Sequence, residues 1–283
     1  MIRWPNFFIV GAPRSGTTSL YEYLNDVPGI FMCPVKEPNY FNISVDNDLF
    51  LSKPVRDKKK YLDLFKNVKD ELAIGEASPT YLWDPMAPKL IHDVIPDARI
   101  IMSLRDPITR AFSEYLFLTG LGSVKGTFLD TIQTSIKAKY YSSGRLIQNG
   151  LYYQQVKRYV DLFSFAQIKI IIFEELVQNS RECVKQILNF LGVQHEPTAS
   201  VTEVHNAFTL PRGKFSSAIV ANKVLRKLGK ALLPRESLFQ MRTILTKKTT
   251  KPEMSIVEKN SLKEFYHDDV IKLQKLLNCK FPW

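Results

Sequence analysis

The chain has 283 residues, 45% hydrophobic and 24% charged, enough to bury a sizeable core without staples. Its net charge of +11 favours anionic partners, yet no aromatic RNP motif, zinc finger or helix-turn-helix accompanies the basic residues, so no nucleic-acid partner is expected. Three scattered cysteines suggest neither a disulfide framework nor a metal site, and nothing approaches the roughly 18 apolar residues of a membrane span. No targeting segment is read at the start, so the expected location is cytoplasmic.

Phe7-Phe8-Ile9-Val10, ending at Gly11, is a short apolar run that reads as the first strand, with a helix from about Gly16 to Asn25. Gly29 to Met32 reads as a second short strand. After a Lys-rich helical stretch from Lys58 to Val68, Leu72 to Glu76 reads as a third. Ala98 to Leu104 is the clearest buried strand. Pro107 opens the helix behind it, where a missing N–H costs nothing, and that helix runs to about Thr119. Gln167 to Phe173 is another core strand, and a helix from Ser180 to Leu191 stops at Gly192. Residues 196–256 read as surface loops and short helices, and an amphipathic helix from Val257 to Leu277 is expected to break near His267-Asp268. The alternation predicts an α/β, doubly wound, mainly parallel sheet. One domain is expected over 1–283, its last third (about 196–283) loop-rich and helical.

Gly11-Ala12-Pro13-Arg14-Ser15-Gly16-Thr17-Thr18 falls between the first strand and the first helix. Small residues there let consecutive N–H groups turn inward as a nest for anionic oxygens, and the helix start adds its positive dipole end. Thr17 and Thr18 can donate hydroxyl hydrogen bonds, and Arg14 supplies a permanent forked cation. This is a P-loop-like phosphate-binding strand–loop–helix, but not a Walker A loop. No Lys follows the second Gly, and no strand ends in an obvious magnesium-holding Asp. No metal is therefore expected.

Arg105-Asp106-Pro107-Ile108-Thr109-Arg110-Ala111-Phe112-Ser113-Glu114-Tyr115 is the second informative segment. Arg105 closes a strand at its carboxyl end, where open α/β sheets bind ligands, and Ser113 falls two turns into the next helix. Read alone, the segment suits a phosphate monoester as well as it suits an Arg–carboxylate pair with an incidental Ser.

Taken together, the two segments resemble the sulfotransferases that use 3′-phosphoadenosine 5′-phosphosulfate (PAPS). The likeness continues in Lys36-Glu37-Pro38-Asn39-Tyr40-Phe41, in Gly75 to Tyr81, in Gly150-Leu151-Tyr152 with Gln155 and Tyr159, and in Phe173-Glu174-Glu175-Leu176. These are closest to the heparan-sulfate type and its bacterial relatives. The resemblance implies PAPS as donor and adenosine 3′,5′-bisphosphate (PAP) as product. It places Arg14, Ser15, Gly16, Thr17 and Thr18 at the 5′-phosphosulfate, and Arg105 and Ser113 at the 3′-phosphate. Glu37 would be the general base, with Lys36 beside it, and Arg212, Gly213 and Lys214 would close over the 3′-phosphate. Two positions depart from the pattern. Arg14 stands where many members have Lys, so its help to the leaving group is electrostatic rather than acidic, given a pKa above ~12. Ala77 replaces a Lys of substrate-binding members, which points to a less anionic acceptor.

The acceptor itself, a saccharide, lipid or small metabolite, is not readable, nor is the oligomeric state. His92, His195, His205 and His267 compete for the role of base without a supporting context. Two other classes stand beside this reading: a P-loop nucleotide-binding kinase-like enzyme, and an inactive anion-binding module of the same fold.

Overall fold

Every residue of the first strand, β1 (Phe7–Gly11), is buried in the computed structural model. The structure describes residues 3–43, 54–120, 123, 124, 126–137, 145–198, 201, 209–211, 246–248 and 252–283. Full burial follows from the alternation of a strand's side chains between two faces. Phe7 and Ile9 pack with Leu20 and Leu24 of α1 (Thr17–Asn25), while Phe8 and Val10 pack with Tyr81, Ile100 and Met102 on the other face. Each such side chain contributes about 1.5–3 kcal/mol of burial. A strand covered on both faces needs the continuous apolar run seen in the sequence.

The further elements are β2 (Ile30–Met32), α2 (Lys58–Asp63), β3 (Ala73–Ala77), α3 (Ala87–Val94), β4 (Arg99–Leu104) and α4 (Pro107–Gly120). They continue through α5 (Phe128–Lys137), α6 (Arg145–Gln148), α7 (Tyr152–Val160), β5 (Ile168–Ile172), α8 (Phe173–Gln178) and α9 (Ser180–Leu191). Last come β6 (Thr209–Pro211), β7 (Thr246–Lys248) and α10 (Ile256–Leu277). Strands β2-β3-β1-β4-β5 form one sheet in that order, and all of its pairings are parallel. The expected doubly wound α/β fold is the one observed.

Four expectations are corrected. The Lys-rich helix ends at Asp63 rather than Val68, because the following turns drop Phe65 into the core beside Phe31. β5 stops at Ile172, and Phe173 opens α8, whose first turn carries Glu174 and Glu175 where the helix dipole favours acids. The last helix is unbroken. Leu262, Tyr266 and Leu273 keep a buried stripe at helical spacing through the expected break, with His267 and Asp268 facing out. Where loops and short helices were expected, β6 and β7 form an antiparallel pair that sets Thr209 opposite Lys248.

The chain gathers into two compact units. One comprises Met1–Arg110, Leu151–His205 and Tyr266–Trp283 and holds the five-stranded sheet. There Asp269 of α10 accepts from the Tyr153 backbone N–H at 3.1 Å, capping α7, whose own N-cap Leu151 offers no acceptor. The other comprises Ala111–Gly150 and Asn206–Phe265. Within it Phe128 packs on Phe112 and Tyr115, with centroids 5.1 and 4.9 Å away, and Tyr115 donates to the Gly126 carbonyl at 2.8 Å. No helix among the described residues is long and apolar enough to cross a membrane.

Two outcomes follow from this packing. A Cβ on Gly75 would fall 2.1 Å from the Phe7 ring and 2.7 Å from Met32 Sδ, so Gly75→Ala should cost about 1–3 kcal/mol in urea unfolding. Burial pushes the Asp269 carboxyl up to about 6, against donation from the Tyr153 and Tyr152 backbones. The folded state then holds a proton that the unfolded chain has lost, so this group's stabilisation falls as pH rises from about 4 through about 6. The difference in unfolding midpoint between wild type and Asp269→Asn should shift against wild type across that window, and a flat difference would refute the assignment.

Candidate active site

Because all five strands of the sheet run parallel, their carboxyl ends open on one edge. β1 sits at the switch point, with β3 and β2 on one side and β4 and β5 on the other. The loop after β1 is pinned to β4 twice. Ala12 donates its N–H to the Ser103 carbonyl at 2.7 Å, and Ser103 Oγ donates to the Ser15 carbonyl at 2.5 Å. Arg14 has a left-handed backbone, φ 67°, and so does Gly16, φ 76°. Gly16 is required twice over, since a Cβ there would also meet the Phe173 and Leu176 side chains at 3.0 and 3.1 Å.

Gly16 is the N-cap of α1, with no side-chain cap bond and no acid in the first turn. The Leu20 N–H makes the bond back to the Gly16 carbonyl at 3.0 Å, so the N–H groups of the turn before it have no place in the helical ladder. Ser15 and Thr17 are buried, and Thr18 is half-buried. The result is a helix start with donors and no acidic side chain of its own, which suits an anion.

Arg105, at the end of β4, is tied to this loop. Its Nη1 donates to the Arg14 carbonyl at 3.1 Å and its Nε to Thr109 Oγ1 at 3.1 Å, while its guanidinium lies 4.6 Å from the Phe173 ring centroid. Tyr152 of α7 donates its hydroxyl to the Arg105 carbonyl at 3.0 Å. Burial lowers the Arg105 pKa, opposed by Glu174 nearby. Glu174 accepts instead from the Asp106 N–H, at 3.2 Å, and Arg105 makes no ion pair among the described residues. The simple Arg–carboxylate pair weighed from the sequence is therefore not what forms. Ser113 lies half-buried in α4 and belongs to the second unit.

After β2 the chain returns through Lys36 and Glu37, which form an ion pair at 2.6 Å. Glu37 also has a left-handed backbone, φ 62°, as does Asn39, φ 52°. The turn is docked on β3: Glu37 donates its N–H to the Ala77 carbonyl at 2.9 Å, and Thr80 Oγ1 donates to Asn39 Oδ1 at 2.6 Å. Behind the turn lies a group that the sequence reading did not single out. Glu76 is fully buried and accepts hydroxyl protons from Ser78 at 2.6 Å, from Tyr81 at 3.2 Å and from Tyr61. Burial raises its carboxyl to about 7 against those three donors, and burial with the neighbouring Glu76 pushes the Cys33 thiol up to about 12. The available signal was a carboxylate inside an apolar strand, followed at two and five positions by Ser78 and Tyr81.

Arg14, Ser15, Gly16, Thr17 and Arg105 thus come together, and Lys36 with Glu37 forms a second group on the same sheet edge. Arg212, Gly213, Lys214 and His205 lie outside the described residues. Of the other histidines, His92 packs edge-on against Phe163 at 5.2 Å, His195 lies beside Gly29 before β2, at the far edge of the sheet, and His267 is exposed. No cluster of His, Cys, Asp and Glu among the described residues could hold a metal ion.

A family model described as a sulfotransferase domain matches residues 5–274. Human heparan sulfate glucosamine 3-O-sulfotransferase 3B1 is 26% identical over 282 residues, which is 99% of this chain and 65% of that protein. The chain spans less still, 44%, of other curated relatives such as mouse carbohydrate sulfotransferase 15. The crystal structure of a sulfotransferase from Alicyclobacillus acidocaldarius superposes with a TM-score of 0.74 at 29% identity, covering 99% of this chain and 98% of that one. A loop pinned at the switch point of a parallel sheet, matched by a model running over nearly the whole chain, leaves one family: the chain belongs to the sulfotransferases.

Proposed function

We propose that this chain transfers a sulfuryl group from PAPS to a hydroxyl or amine of an acceptor. The observation that carries the reading is the Arg105–Arg14 bond, which joins a half-buried guanidinium to the loop at the uncapped start of α1. Two anion-binding elements in one place suit a donor with phosphate at both 3′ and 5′ positions. The donor supplies an activated sulfuryl group and leaves as PAP. Within the family reading, the loop N–H groups with Thr17 and Thr18 bind the 5′-phosphate, and Arg14 offsets charge on the departing oxygen. Arg105 binds the 3′-phosphate, and the resemblance adds Ser113 and the basic Arg212-Gly213-Lys214 stretch.

Sulfuryl transfer, like phosphoryl transfer, places its demands on in-line positioning and on charge spread over equatorial oxygens. Glu37 takes the acceptor proton as the new S–O or S–N bond forms, and Lys36, 2.6 Å away, holds that carboxylate and faces the sulfuryl oxygens. A saccharide is the acceptor class to test first, since the curated relatives include a glucosamine 3-O-sulfotransferase. Ala77 is buried and brings no cation to that side, which favours a neutral or weakly anionic sugar. A cytoplasmic location is part of the same proposal, supported by Cys33, Cys183 and Cys279 being free thiols.

Calorimetric titration with PAP, ADP and ATP, with and without EDTA, tests the donor site. Tight binding that needs the 3′-phosphate and ignores EDTA is expected; a strict need for magnesium would favour a kinase-like enzyme. Arg105→Ala should weaken PAP roughly ten- to a hundredfold, the scale of a lost charged hydrogen bond. Glu37→Gln should cut PAP release from PAPS, assayed over neutral and N-sulfated oligosaccharides, by about 10²–10⁴ and leave PAP affinity unchanged. Turnover surviving within a few-fold would remove Glu37 from the reaction.

A further inference from the structure

Glu76 is a fully buried carboxylate with no part in the reaction proposed above. It stands near the carboxyl end of β3, and Ser78 Oγ, Tyr81 OH and Tyr61 OH all donate to it. A hydroxyl has one proton and two lone pairs. With their protons committed to Glu76, Ser78 and Tyr81 have only lone pairs to offer elsewhere. Those lone pairs are used: the Asn39 backbone N–H donates to Ser78 Oγ at 3.1 Å, and the Phe41 backbone N–H donates to Tyr81 OH at 3.1 Å. Both N–H groups belong to the turn that carries Glu37.

That turn needs outside support. Glu37 and Asn39 both adopt a left-handed backbone that non-glycine residues avoid, and such conformations persist only where their surroundings over-determine them. Apart from the Glu37–Ala77 backbone bond, the contacts that hold Asn39 and Phe41 by their N–H groups pass through the two hydroxyls that Glu76 polarises. We propose that Glu76 is a positioning residue for Glu37, fixing the proton direction of Ser78 and Tyr81 so that these hydroxyls accept from, and hold, the Glu37-bearing turn. The proposal rests on the reading of Glu37 as the general base. It differs from a packing role because what matters is the acceptor-only character of the ionised carboxylate, not its bulk.

Glu76→Gln separates the two. The amide keeps the shape but turns one acceptor into a donor, so a hydroxyl facing it must redirect its proton. Hydrogen exchange measured by mass spectrometry over residues 36–42 should accelerate about tenfold or more, although residue 76 touches neither Asn39 N–H nor Phe41 N–H directly. Turnover of PAPS should fall with its KM unchanged. Folded Glu76→Gln protein with wild-type exchange over 36–42 would overturn the proposal. If Glu76→Gln fails to fold, Ser78→Ala and Tyr81→Phe each remove one hydroxyl of the relay, and wild-type exchange over 36–42 in both would overturn it equally. The exchange does not depend on the chemistry assigned to Glu37. Should Glu37→Gln retain turnover, the base reading fails while the relay is judged on its own result.

Discussion

The double tie between the loop after β1 and Ser103 of β4 is the constraint from which the site follows. One residue of the neighbouring strand uses its carbonyl to hold Ala12 and its hydroxyl to hold Ser15. Between those two anchors Arg14 takes a left-handed backbone and Gly16 starts α1. A buried serine near the end of an apolar strand is costly unless its hydroxyl is satisfied, and here the bond that satisfies it shapes the loop. Arg105, two residues further along the chain, then reaches the Arg14 carbonyl from the end of the same strand. Loop and guanidinium are thereby held by a single strand, buried from Ile100 to Leu104.

The same economy recurs on β3. Gly75 has no side chain because Phe7 and Met32 fill the space, and Glu76 turns the opposite way into a set of hydroxyls. Ala77 presents its carbonyl to Glu37. Three consecutive residues thus pack the sheet, support the neighbouring turn and dock it. Burial of a charged or partly charged group in such a place is tolerable only with several donors aimed at it, and the three hydroxyls meet that condition. The catalytic proposal needs a carboxylate held still at the sheet edge. The structure accounts for the holding through backbone bonds and hydroxyls, with the Lys36 ion pair acting on the carboxylate itself.

Much of this was legible in the residues. Local patterns reported β1 and β4 because both are buried on two faces along nearly their whole length, so their runs are almost wholly apolar. The loop was legible because Gly16 and its small neighbours serve no helix or strand propensity. Gly192 marked a helix end for the same reason, and it does take a left-handed backbone, φ 74°. What local pattern misjudged were places where a distant contact decides. Phe65 leaves its helix to reach the core, and α10 stays whole because Leu262, Tyr266 and Leu273 have a surface to cover.

By itself the sequence determined the α/β alternation, the small-residue loop between β1 and α1 and the presence of Lys36, Glu37 and Arg105, since these depend on residue type and short spacing. Only the tertiary structure decided that Arg105 binds the loop backbone rather than a carboxylate, and that Tyr152 and Glu174 flank it. It alone revealed Glu76 as the hub behind Glu37. The physical reason is that the bonds from the Glu37 turn to Ser78 and Tyr81, and from Arg105 to the loop, join residues 39 to 91 positions apart, through parallel pairings whose partners no local periodicity specifies.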